Sequence, residues 1–276
     1  LNLLAAFFFL KGLKSPWFLL GSAFIMGINI YMYQSEKVFT PLLLLVLAAV
    51  NIKQLLKIPR KYLILSCIVG LITIIPMAYY LLSNTEALSR ARGVSVFADQ
   101  TAFLKDNAEK ILQDKKSGDI VGLVLDNRRV EYGKAVLANY ISHMDLNWLF
   151  ITGDIARHHA PGMGLLYLFE LPFLFLGMYF LLFERIDKKI KLLLFLWLFI
   201  TPIPASVTSG VPHAVRALNF LPILQIFIAF GLLTAYQFAA NSKHKIVNVR
   251  MKYFIFSLCI LFFIFNFLYY LNQYFV

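Results

Sequence analysis

Cysteine is nearly absent from this chain. The two thiols, Cys67 and Cys259, each lie inside an apolar run, an arrangement that builds neither a disulfide framework nor a thiolate metal site. Charge is scarce as well: 14% of the residues are Asp, Glu, Lys or Arg, against about 25% in a soluble domain. Acid is the scarcest, with 14 carboxylates against 26 lysines and arginines. Several signatures are missing altogether: a glycine-rich dinucleotide turn, a phosphate loop with its lysine, HExxH, and a paired CxxC. Their absence removes the usual marks of a soluble nucleotide site or a zinc hydrolase, so no cofactor and no metal is expected. No polar segment carries a basic stripe interleaved with aromatics, which argues against nucleic acid as a partner.

Apolar surface is what the chain has in abundance. Hydrophobic residues make up 60% of its 276 positions and aromatics 16%. Spans need about 20 mainly apolar residues, and the runs at 17–33, 38–52, 62–82, 162–183, 191–208, 216–238 and 253–271 qualify as candidates, with 1–10 as the remnant of another. The expected fold is therefore all-α and polytopic: about seven membrane helices plus a partial one. Residues 1–82 and 162–276 would be membrane helices, and 83–161 a largely helical extracytoplasmic loop. The chain opens at Leu1 within LNLLAAFFFL and ends in the aromatic LYYLNQYFV, so it is expected to be a piece of a longer protein.

Cations decide the orientation, because Lys and Arg collect in short cytoplasmic loops. Every second connection is basic. Segments 11–16, 52–61, 184–191 and 242–252 hold 14 cations, among them Lys11, Lys53, Lys189 and Lys243. The alternate connections, 34–37, 83–161 and 209–215, then face outward, as does the C-terminus. Loop 83–161 carries ten acidic and ten basic residues, so the formal net charge of +12 comes from the rest of the chain. The basic balance thus reports topology in a multi-pass cell-membrane protein.

A loop as long as 83–161 is usually functional. It contains FADQTAFLKDNAEKILQDKK, with Phe97, Phe103, Leu104, Ile111 and Leu112 at helical spacing, and GKAVLANYISHMDLNWLF, with Val136, Leu137, Tyr140, Ile141 and Met144 on one face. Such a stripe suits a helix lying on the membrane surface, and equally one packed on other loop helices.

Four outer-edge elements bear the remaining chemistry. They are YMYQSEKVFTP, with Tyr31, Tyr33, Gln34, Glu36 and Lys37; the group Asp154, Arg157, His158 and His159; Glu170, within the next apolar run; and SGVPHAVRALNFLP, with Ser209, His213 and Arg216. Arginine grips phosphate oxygens in a planar fork and lysine acts as a point charge. Tyrosines supply an amphipathic wall. Ionisable groups at membrane depth cost about 2.5–3.5 kcal/mol each on insertion scales and usually mark function. The set suits a ligand with a lipid tail and a phosphorylated head, with membrane lipids as constant neighbours. The plainer reading makes these residues interfacial contacts, and makes Glu170 a cap for the backbone around Pro172.

Three blocks, YMYQSEKVFTPLLLL, RHHAPGMGLLYLFELPFLFLGMYFLL and PHAVRALNFLPILQI, resemble segments of bacterial integral-membrane glycosyltransferases of family 39 type. These are GT-C enzymes related to protein O-mannosyltransferases and to the aminoarabinose transferase of lipid A, and the likeness is to their uncharacterised bacterial branch. It covers most of the chain. The resemblance implies a polyprenyl-phosphate-linked sugar donor, an acceptor that is protein, lipid or glycan, and transfer on the extracytoplasmic face of the cell envelope. It also implies that Lys37, Arg157, His158, His213 and Arg216 bind donor phosphate, and that Tyr31, Tyr33, Gln34 and Glu170 line the pocket. The acidic general base of such enzymes lies in the first outer loop, which is expected to precede this chain, so the catalytic residue is left unassigned. Two other readings stay open: an O-antigen-ligase or polymerase-like enzyme, and a lipid-linked glycan flippase or transporter.

Overall fold

The computed structural model describes residues 1–84, 86, 89, 93–98, 101–155, 157–241 and 249–275, without side chains for 101–104, 239–241, 249–252 and 255. The basic residues Lys243 and Lys245, and the side chains of Phe103 and Leu104, lie outside the described part. Among the described residues the regular elements are all helical. They are α1 (Asn2–Gly12), α2 (Trp17–Asn29), α3 (Glu36–Val50), α4 (Ile52–Leu55), α5 (Arg60–Ser83), α6 (Thr101–Ser117), α7 (Ile120–Leu125), α8 (Arg128–Ser142), α9 (Leu171–Phe183), α10 (Lys188–Ile200), α11 (Ile203–Ser206), α12 (Phe220–Asn241) and α13 (Val249–Phe275).

Four helices are long and apolar enough to cross a membrane: Arg60–Ser83, Lys188–Ser206, Phe220–Phe238 and Phe256–Phe275. This is consistent with a membrane protein. Other expected spans are shorter helices. α2 and α9 have 13 residues each, about 20 Å at 1.5 Å per residue, against about 30 Å of hydrocarbon. The expected span 162–183 loses its first third for a steric reason. Gly162 adopts a φ of 70°, and a Cβ on Gly164 would fall 2.2 Å from the Phe150 carbonyl carbon. The backbone there lies against another strand of chain, and Leu166 N–H donates to Leu149 O at 2.8 Å. Pro172 is in the first turn of α9, where its missing N–H costs nothing, so it starts the helix instead of breaking one.

The chain forms two compact units, one of Leu1–His143 with Pro202–Arg216 and one of Met144–Thr201 with Ala217–Val276.

In the first unit α2 packs along α1 and α5. Ser22 Oγ donates to Ala5 O at 2.8 Å, and a Cβ on Gly27 would fall 1.8 Å from Thr73 Oγ1, so the Thr73 side chain of α5 packs directly on the α2 backbone. Phe39, Leu43 and Leu47 of α3 are fully buried. α5 carries Pro76 in its interior, which removes one ladder hydrogen bond. Tyr31 bridges the next rung: its hydroxyl donates to Thr73 O at 2.7 Å and accepts from Met77 N–H at 3.1 Å. A side chain inserted into a helical ladder at a proline is a recognised way to satisfy the freed groups.

The loop helices α6, α7 and α8 pack on one another, and Asp119 and Asn127 cap α7 and α8. The inward face of α8 is Val136, Asn139, Tyr140 and His143, whereas Leu137 and Ile141 are exposed, so the expected stripe is split between two surroundings. Asp114 has one carboxylate oxygen out of water. Burial first, then the nearby charges of Asp126 and Asp119, hold its carboxyl above the ordinary range. A carboxyl raised in the folded state favours folding below its unfolded pKa and loses that advantage as pH rises through the folded value. The α6–α8 helices are therefore expected to resist urea better near pH 4 than at pH 7, and Asp114→Asn to remove the difference. Equal denaturation midpoints for the wild type at the two pH values would contradict this.

In the second unit α9 crosses α12 at two glycines. A Cβ on Gly177 would fall 1.9 Å from Phe227 O, and one on Gly231 would fall 1.9 Å from Phe173 O. Glycine spacing of this kind lets membrane helices touch through their backbones. Phe195 meets Phe227 with ring centroids 5.3 Å apart, and Trp197 Nε1–H donates to Asn219 O at 3.0 Å.

Candidate functional site

The second unit holds a small pocket of about 250 Å³, lined by His159, Met163, Tyr167, Glu170, Gln225 and Tyr270 among others. Its geometry follows from the glycine-rich loop before α9. Gly153 has a φ of 62°, and a Cβ there would fall 1.8 Å from His159 Nε2. The chain thus turns tightly, and His159 Nε2–H donates to Met163 O at 2.7 Å. A short 3₁₀ turn, Leu168–Glu170, then leads into α9. Glu170 is buried at 9% exposure. One of its oxygens accepts from Tyr167 N–H at 3.0 Å, and the Gln225 amide lies within hydrogen-bonding reach. Glu170 therefore caps the 3₁₀ turn that precedes Pro172, and it also faces a cavity.

Tyr167, one of the lining residues, is held by rings behind it. Tyr167 stacks on Phe169 at 6.0 Å, and Phe263 of α13 meets both edge-on at 6.2 and 6.4 Å. A carboxylate, an amide, an imidazole and two phenols around so small a space can hydrogen-bond a polyhydroxylated group, while rings pack on its C–H faces.

Two expected phosphate ligands stand on the loop leading to this pocket. The side chain of Asp154 is 6% exposed, and its Oδ2 lies 3.1 Å from His158 Nδ1; its Oδ1 accepts from Ile155 N–H at 2.7 Å. The carboxylate so fixes the orientation of the imidazole. Arg157 is exposed. Among the described residues its guanidinium makes no hydrogen bond or ion pair.

The other expected residues belong to the first unit. Tyr31, Tyr33 and Gln34 occupy the turn between α2 and α3, and Lys37 the first turn of α3. The Tyr31 hydroxyl is committed to the α5 backbone, and Lys37 Nζ donates to Gln34 Oε1 at 2.7 Å. Arg216 Nη1 donates to Thr208 Oγ1 at 2.6 Å and Ser209 O at 2.7 Å, so this nitrogen braces its own loop. That loop is also tied to residues 94–96, with Ser209 N–H donating to Val94 O at 2.7 Å and Val96 N–H to Val207 O at 3.1 Å. It is tied to α8 as well, where Asn139 Nδ2 donates to Ser206 O and Thr208 O at 3.1 and 3.2 Å.

His143 has no expected role in the sequence, yet it is fully buried. Its Nδ1 lies 2.7 Å from Asn139 O, and its Nε2 lies 3.2 Å from His213 N. The carbonyl requires a proton on Nδ1 and the amide requires a lone pair on Nε2, which makes the ring neutral with one defined tautomer. His213 thus meets the body of the unit through its backbone.

Gln225 and Tyr270 escape a reading of the sequence, because each stands in an apolar helix far from the charged loop and is brought to the pocket only by packing. Comparison with known proteins found no matching family model, no matching curated protein and no matching solved structure.

Proposed function

We propose that this chain is part of a membrane glycosyltransferase that moves a sugar from a polyprenyl-phosphate donor to an acceptor on the extracytoplasmic face. In this reading the shorter helices complete a seven-span topology by tilting and by local thinning of the bilayer, with residues 83–161 outside. The observation that carries the proposal is the Glu170 pocket, built on the same loop as Arg157 and His158. A cavity of about 250 Å³, large enough for a sugar, is lined by His159, the residue that follows Arg157 and His158 in the chain, and that cation and imidazole are suited to a phosphate.

The acceptor hydroxyl attacks the anomeric carbon, the bond from that carbon to the phosphate oxygen breaks, and the hydroxyl proton passes to a base. Polyprenyl phosphate departs. Negative charge grows on the leaving oxygen in the transition state, and Arg157 is suited to neutralise it. Glu170 and Gln225 accept and donate hydrogen bonds to sugar hydroxyls, with Tyr167 and Tyr270 beside them. No residue here is assigned as the base.

The test is release of undecaprenyl phosphate from undecaprenyl-phosphate hexoses and pentoses by the full-length protein that carries this chain, in liposomes supplied with acceptor. Donor-dependent release is expected. Glu170→Gln should raise KM about tenfold, the value of a hydrogen bond to a charged group, with a smaller change in kcat. Failure to release phosphate from any donor in the series would sink the reading.

A further inference from the structure

Every residue of α7 is apolar, IVGLVL, yet most of the helix is exposed. Ile120, Val121, Val124 and Leu125 are 50–75% exposed. They fall at i, i+1, i+4 and i+5, which is one face of a helix. The other side rests on α6 through a glycine, since a Cβ on Gly122 would fall 2.6 Å from Asp114 Cγ. The outer face leads on to α8. Lys134 Nζ donates to Leu125 O at 3.0 Å, and Lys134 begins an exposed stripe that continues through Leu137, Ala138 and Ile141. Left in water, this surface would forfeit what burial of apolar area supplies.

Cations stand at both ends of α7. Lys115 and Lys116 occupy the last turn of α6, joined to α7 through Gly118, whose φ is 73°. Arg129 stands in the first turn of α8. All three are exposed. Arg128 adds a further cation, 5.5 Å from the Tyr132 ring centroid. The neighbouring acids are engaged within the loop. Asp119 Oδ1 accepts from Gly122 N–H at 2.9 Å, Lys134 Nζ pairs with Glu131 Oε1 at 2.6 Å and with Asp126 Oδ1 at 3.8 Å, and Asp114 keeps one oxygen out of water. An exposed apolar face flanked by cations is the pattern of a segment seated in anionic lipid. Lysine is depleted at protein interfaces, so the same flanks argue against a protein partner.

We propose that α7, with the outer stripe of α8, seats in the surface of an anionic bilayer. Ile120, Val121, Val124 and Leu125 enter the boundary between headgroups and acyl chains, and Lys115, Lys116 and Arg129 meet lipid phosphates. Charge complementarity selects this occupant. A membrane is at hand, because Arg60–Ser83 in the same unit is long and apolar enough to cross one. The inference rests on the chain being a membrane protein and holds for either sidedness of the loop. It is independent of the transferase reading, and a failed transfer assay leaves it standing.

The experiment places a nitrobenzoxadiazole label on α7 of the full-length protein that carries this chain, in a background otherwise free of cysteine. Val124→Cys receives the label, and Asp106→Cys, an exposed position on α6, is the control. Vesicles are phosphatidylcholine alone or with an equal share of phosphatidylglycerol, and doxyl-labelled phosphatidylcholine is the quencher. Each variant is accepted only if it elutes as a single species with unchanged helicity. Label at 124 is expected to be quenched strongly in the anionic vesicles and weakly in the neutral ones, and label at 106 in neither. Lys115→Gln, Lys116→Gln and Arg129→Gln should each lower the ratio of lipid-seated to solvated label about fivefold, the value of one cation near an anionic surface. If a glutamine variant does not fold, the two vesicle types decide. Label at 124 quenched no more than label at 106 would overturn the proposal. So would equal quenching in the two vesicle types, which would remove the anionic lipid. Label shielded from iodide yet untouched by doxyl lipid would also overturn it, and would assign the face to a second copy or another protein.

Discussion

Gly231→Ala is expected to destabilise the second unit by about 3 kcal/mol, the upper part of the usual range for overpacking. The reason is what the new methyl group meets. It would lie 1.9 Å from Phe173 O and 2.9 Å from Gly177 N, and these are backbone atoms of α9, with no rotamer to change. Either α9 and α12 separate, losing contact along the whole crossing, or one of them bends. Gly177→Ala meets Phe227 O and Gly231 N in the same way, and the two substitutions should not add, because the first already opens the crossing. Gly70→Ala is the control. Only Ala23 Cβ comes near its added methyl, at an ordinary 3.9 Å, and alanine is the better helix former by about 1 kcal/mol. Thermal unfolding in detergent should show a large drop in Tm for the first two variants and none for the third. A Gly231→Ala variant as stable as wild type would mean that α9 and α12 do not cross in backbone contact.

Under the proposed sugar transfer, Arg157→Ala is expected to lower kcat by about 100-fold or more while leaving Tm unchanged. The magnitude is that of losing one preorganised partner of a charge that develops in the transition state. The unchanged Tm follows from an exposed side chain without a described bond to the protein, since surface substitutions away from packing usually stay within about 0.5 kcal/mol. Arg157→Lys separates charge from fork geometry: a large residual defect means that two parallel hydrogen bonds matter, and full activity means that a point charge suffices. Wild-type turnover in Arg157→Ala would remove Arg157 from the chemistry. The contrast with Arg216 is instructive. Its Nη1 bonds Thr208 and Ser209, so Arg216→Ala is a change to loop structure as well as to charge, and lost activity there would not by itself identify a phosphate ligand.

Several features of this protein were settled by its sequence alone. An apolar fraction of 60% with long uninterrupted runs cannot be placed in water at that density, so helices with satisfied backbones follow directly. The helical character of 101–117 and 128–142 is equally local, since each segment carries its own apolar period and Asn127 caps the second. Distances across the chain were not accessible this way. Tyr31 reads as a pocket wall because its type and place at an outer edge say so, yet its hydroxyl serves the ladder broken at Pro76, 45 positions further along the chain. Leu137 and Ile141 share a helical stripe with Tyr140, but the packed face of α8 is rotated toward Asn139 and His143 because backbone acceptors and donors lie on that side. Gly162 and Gly164 sit in a run apolar enough for a span, and only the close approach of the Phe150 backbone makes them a loop. Hydropathy records the cost of leaving water, residue by residue. Which atoms then meet is decided by the packing of segments distant in sequence, and it was packing that placed Gln225 and Tyr270 beside Glu170.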